Sequence, residues 1–107
     1  MISVVEPATE QVMAELPRAG VEEVDAAVAA ARAAFPAWRA VTPGDRATLM
    51  RRIADGVEAR LEEIATLEAR NAGKPISDAR GEIGMVVETF RYYAGAPERL
   101  LGHTIPV

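Results

Sequence analysis

The chain has 107 residues, half hydrophobic and 26% charged, which allows one domain at most with a small core and excludes disordered or membrane-spanning composition. A formal net charge of −4, with acids and arginines interspersed, disfavours nucleic acid as a partner, and the lack of cysteine excludes disulfides, thiolate metal sites and thiol nucleophiles. No apolar run reaches membrane-spanning length and the first residues lack the pattern of a signal peptide, so no membrane partner is expected and the expected location is cytoplasmic.

Ile2 to Val5 and Val12 to Leu16 are β-prone runs separated by Pro7, Ala8, Thr9 and Glu10, so residues 2–16 are predicted to form a hairpin that Pro17 ends. After Gly20, apolar residues at Val21, Val24, Val28, Ala31, Phe35 and Trp38 recur at steps of three and four, which predicts helix A over about 21–35. Glu22, Glu23 and Asp25 complement the amino-terminal end of its dipole, and Pro36 is expected to end or kink it. Thr42 with Pro43 is a good helix start: the hydroxyl accepts from a free amide, and proline lacks only an amide that would be orphaned anyway. Helix B is expected over about 43–72, on the stripe Met50, Ile53, Val57, Leu61, Ile64 and Leu67, with Gly73 as a left-handed cap shortly before Pro75. Gly56 within it costs roughly 1 kcal/mol relative to alanine. Ser77 is expected to cap helix C, about 77–96, whose apolar positions include Ala79, Ile83, Val86, Val87, Phe90, Tyr93 and Ala94. Gly81 and Gly84 weaken its first half; they either admit a ligand or backbone closely or, the preferred reading, accommodate packing. Short proline- and glycine-containing turns join these elements, so the reading is a single α+β unit: a β-hairpin followed by three amphipathic helices.

Three blocks carry a family resemblance. Glu6, Pro7, Ala8, Thr9, Glu10, Gln11 and Val12 resemble an opening Asn-Pro-Ala-Thr-Gly-Glu-Val. Gly73, Lys74 and Pro75 form the second block. The third runs from Phe90, Arg91, Tyr92, Tyr93, Ala94 and Gly95 into Leu101, Gly102, His103, Thr104, Ile105 and Pro106, similar to Gly-x-Thr-Ile-Pro. Helix A and its aromatic exit at Phe35 and Trp38 fall in register between them. On these residues the chain resembles the amino-terminal portion of an NAD(P)-dependent aldehyde dehydrogenase, over nearly all of its length. The resemblance implies the first part of that family's α/β cofactor-binding domain. It departs from the family at Glu6, Glu10, Asn71 and Ala96, where asparagine, glycine, an acid and tryptophan are common. Glycine commonly sits at the position of Glu10 because the turn needs positive φ, so this turn is expected to be strained or rebuilt.

What the family's chemistry requires is missing from this segment. Its nucleophile is a low-pKa cysteine, and the chain has none. The oxyanion asparagine, the general-base glutamate and the glycine-rich dinucleotide loop belong, in the family, beyond Val107. No catalytic or cofactor-binding residue is therefore assigned, NAD or NADP is implied only for an intact family member, and the chain alone is expected to be inactive. The resemblance places Met85 at the substrate entrance; the alternative is a core methionine filling a gap, which is the preferred reading. It also suggests a structural cation held by carbonyls of Val4 and Val5 with the side chain at 71, but Asn71 lacks the charge such a cation favours, so no metal site is assigned.

The other polar candidates have ordinary readings. His103 is the sole histidine and forms no triad. Glu58, Glu62 and Glu63 beside Arg60 read as a solvated helix face rather than paired catalytic carboxylates. Lys74 complements the end of helix B. Tyr92 and Tyr93, adjacent on a helix, cannot share one core, so one is expected to meet a polar group or solvent. Two functional readings result: a segment of an aldehyde dehydrogenase, or a stand-alone helical module that associates with itself or with an intact relative through exposed apolar surface.

Overall fold

A computed structural model describes residues 1–105; Pro106 of the third resemblance block and Val107 lie outside the described residues. Strands β1 (Ile2–Glu6) and β2 (Gln11–Leu16) pair antiparallel, with a register shift between Val4 and Val5. Their turn closes through the Glu10 amide, which donates to the Glu6 carbonyl at 2.8 Å. Glu10 adopts φ 59°, so this turn keeps the left-handed residue without the glycine that makes it inexpensive.

Four helices follow: α1 (Val21–Ala40), α2 (Pro43–Ala59), α3 (Leu61–Ala72) and α4 (Ile76–Ala94). The expected three become four because helix B breaks at Arg60, whose φ −114° and ψ 20° leave the helical region. No glycine or proline marks the break, and the apolar stripe runs through it unbroken. The bend lets α2 and α3 both lie on α4 while α3 also meets β1. Helix A runs five residues beyond its predicted end, through Pro36 to Ala40. It is exposed along its length, so a carbonyl robbed of its partner by proline remains open to water. Helix C starts at Ile76 and ends at Ala94; Ser77 does not cap it, and its hydroxyl bonds Asp78 instead.

Other local signals act as expected. Thr42 Oγ1 accepts from the Asp45 amide at 3.2 Å, and Gly73 takes φ 69°, ending α3. Glu23 returns to the Gly20 amide at the head of α1.

The interior is built largely from alanine. Ala47 and Ala54 of α2, Ala65 of α3, and Ala79 and Ala94 of α4 are buried, joined by Ile83 and Val87. Small side chains at these contacts let the helices approach closely. Around this seam Arg91 pairs with Glu58, Asp55 and Glu88, and Arg80 pairs with Glu62. Such exposed pairs add little individually. The hairpin is tied to α3 by Arg70, which donates to both carboxylate oxygens of Glu6 at 3.1 and 3.2 Å. The departure at Glu6 thus comes with its own cationic partner.

Helix α1 stands apart from this body. None of its residues is buried, and among the described residues no other helix or strand lies along it, its contact with α2 being made at its carboxyl end. Its stripe of Val21, Val24, Val28, Phe35 and Trp38 is open to solvent. The radius of gyration is 19.2 Å, against about 13 Å for a compact chain of this length.

Candidate functional site

A cleft follows the outer face of α4. Gly81, Gly84, Met85, Glu88, Thr89, Tyr92 and Tyr93 line a volume of about 600 Å³. Their spacing places most of them along one side of the helix, while Ala79, Ile83, Val87 and Ala94 are turned into the body. Met85 is 62% exposed, so within this chain it does not fill a core gap as expected: its side chain forms part of the open wall. Within the described residues of this chain nothing packs on Gly81 or Gly84. A Cβ at either position would meet no atom within 4 Å, so these glycines flatten the cleft floor without admitting a neighbour of this chain.

The cleft is mainly apolar with a polar margin. Thr89 Oγ1 donates to the Met85 carbonyl at 2.8 Å, which occupies the hydroxyl within the helix. Glu88 accepts from Arg91 at 3.3 Å. The rings of Tyr92 and Tyr93 meet edge to face at 5.1 Å, and both remain exposed. This arrangement offers shape and apolar contact, with no nucleophile and base in hydrogen-bond reach of each other.

The acids of the helical face are divided among separate arginines. Glu63 bonds Arg60, Glu62 bonds Arg80 and Glu58 bonds Arg91. The hydrogen bond from Arg80 holds the Glu62 carboxyl below its usual range, and that from Arg60 does the same for Glu63. Such carboxylates stay ionised at neutral pH and are poor general acids. Lys74 is gripped between Glu68, at 2.8 Å, and Glu82. These two hydrogen bonds raise its pKa, a stronger engagement than the helix end alone provides.

Val4 and Asn71 meet at a second cavity, about 260 Å³, beneath the hairpin. Its other walls are Met13, Ala14, Ile64, Leu67 and Ile83, together with Glu68. Apolar walls are a poor donor set for a hard cation, and Val5 does not line the cavity. Among the described residues no group of three or more His, Cys, Asp or Glu could hold a metal ion. His103 is exposed in the segment after α4, outside any helix or strand.

Gly81 and Gly84 do not form a dinucleotide cradle. A cradle needs free amides at the amino end of a helix, whereas Gly81 and Gly84 are interior to α4, where the amides serve the helix. Sequence reasoning missed two residues that matter to the architecture: Arg46, at the corner between α1 and α2, and Arg70, paired with Glu6 across 64 positions. Neither contact has a local signal, because both depend on how separate elements meet.

The same architecture recurs within longer solved dehydrogenase structures. PnpE, solved in complex with nicotinamide adenine dinucleotide, matches 99% of this chain at a TM-score of 0.95 and 40% identity, and the chain covers 22% of it. The glyceraldehyde-3-phosphate dehydrogenase GapN from Methanocaldococcus jannaschii, complexed with NADP, matches the whole chain at a TM-score of 0.92 and 26% identity, with 24% of that structure covered. The bovine (Bos taurus) 2-aminomuconic semialdehyde dehydrogenase is 42% identical over 100 residues, 92% of this chain and 20% of the relative. The aldehyde dehydrogenase family profile matches residues 1–107. The chain belongs to the aldehyde dehydrogenase family. It spans about a fifth of the length of the curated relatives it matches. No described helix is long and apolar enough to cross a membrane.

Proposed function

We propose that this chain is the amino-terminal segment of an NAD(P)-dependent, cytoplasmic aldehyde dehydrogenase, and that it packs as a partial domain against the remainder of the cofactor-binding domain. The observation that carries this reading is α1: a helix with an apolar stripe and no cover, in a chain matching only 20% of a relative's length. Exposed stripes of this size mark surfaces that are buried in an assembly. In that enzyme the α4 cleft forms one wall of the substrate entrance, with Met85 on it. This segment's contribution is shape and water exclusion; the thiolate, the oxyanion donors and the dinucleotide site come from elsewhere.

The isolated chain is expected to show no aldehyde oxidation with NAD or NADP above a heat-killed control. Turnover above that control would overturn the reading. The exposed stripe also favours a second reading, association with another copy or with an intact relative. Sedimentation over a concentration series separates the two: a concentration-dependent dimer supports association, and a monomer captured by the remainder of a dehydrogenase supports the first reading.

A further inference from the structure

Helix α1 touches the rest of the molecule at one corner, and one side chain dominates that corner. Arg46 lies in the first turn of α2, next to the buried Ala47. Its Nε donates to the Val41 carbonyl at 3.1 Å, and its Nη2 donates to the carbonyls of Trp38 at 3.0 Å and Arg39 at 3.2 Å. The guanidinium carbon also sits 5.1 Å from the centroid of the Trp38 ring. The final carbonyls of a helix lack the usual intrahelical partners and carry partial negative charge; the Trp38 carbonyl accepts also from the Val41 amide at 3.1 Å, and a cation here is favoured by both hydrogen bonding and the dipole. The planar fork reaches all three carbonyls while stacking on an aromatic ring, which an ammonium group cannot reproduce.

We propose that Arg46 is a positioning residue that locks the angle between α1 and α2, so that the apolar stripe of α1 is presented in one orientation before it is covered. The purpose of that orientation rests on the docking reading above; the lock itself does not. Trp38 belongs to both the stripe and the clamp, so whatever covers Trp38 also shields Arg46 from water and strengthens its bonds. The arm is thereby ordered twice, first by Arg46 and then by its cover.

The cysteine-free sequence suits a distance measurement. Spin labels on Ala27→Cys in α1 and Thr66→Cys in α3, both exposed positions, report the angle by pulsed dipolar spectroscopy. With Arg46 intact a narrow distribution is expected, and Arg46→Gln should broaden it about twofold with helix content unchanged by circular dichroism. An unchanged width in Arg46→Gln, or a broad distribution with Arg46 in place, overturns the proposal. If Arg46→Gln loses helix content, Arg46→Lys decides: broadening with helices intact supports the fork, and a narrow distribution overturns it. Failure of the docking reading would register differently, as a narrow distribution in a chain that never binds the remainder of a dehydrogenase.

Discussion

Replacing Gly73 by alanine tests the joint between hairpin and helices most directly. Gly73 closes α3 at φ 69°, a region that costs a residue with a Cβ about 1–2 kcal/mol. Alanine recovers about 0.4–1 kcal/mol by restricting the unfolded chain, which leaves a backbone cost of about 1 kcal/mol. The new methyl would also lie 3.0 Å from the Pro7 Cβ and 3.3 Å from its Cγ, closer than van der Waals contact. Pro7 is held in the hairpin turn beside Glu6, which Arg70 anchors, so relief requires the turn to shift. Overpacking of this kind costs about 1–3 kcal/mol. The sum is about 2–4 kcal/mol, or a fall of roughly 10–30 °C in Tm for a domain of this size. Urea unfolding followed by circular dichroism measures it. Gly73→Asn should lose less from the backbone, because asparagine tolerates the left-handed region. In a Pro7→Gly background, Gly73→Ala should cost only the backbone share. An equal loss in both backgrounds would refute the contact, and a loss below about 0.5 kcal/mol would refute the whole account.

Glu10→Gly should raise stability by about 0.5–1 kcal/mol, since the left-handed cost of about 1–2 kcal/mol exceeds what glycine loses in unfolded-state freedom; a lower urea midpoint would contradict this. Acid should weaken the hairpin joint. The Arg70 hydrogen bond holds the Glu6 pKa below its ordinary 4.5, so the ion pair's contribution is complete above 4.5 and fades as pH falls through the lower folded value. The urea midpoint should therefore decline below that point, and the gap between the parent and Glu6→Gln should close; a gap independent of pH would count against the pairing.

Much of this fold is legible where the chemistry is local. The Thr42 cap, the left-handed Gly73 and the strained Glu10 each follow from a few neighbouring residues, and each has that geometry. The stripe of α1 predicted its helix but not its surroundings, because periodicity identifies an apolar face without saying what covers it. The break at Arg60 was hidden by a stripe that continues across it. The α4 cleft was half visible: Met85 came from the family resemblance, whereas its companions Glu88, Thr89 and Tyr92 emerge only when the helix is turned with its alanine side inward.

The buried seam of the molecule is made mainly of small apolar side chains, and many of its large ones lie outside. Ala47, Ala54, Ala65, Ala79 and Ala94 form the seam, while Val21, Phe35, Trp38, Leu100 and Leu101 face water. Selection would therefore leave two different signatures. Interior sites would reject any gain in volume whether or not the segment is joined to the rest of an enzyme. The outer hydrophobic sites would drift freely in a gene selected only for folding and stay restricted in one selected for assembly, so sequence variation along α1 is a historical record of whether this surface has been in use.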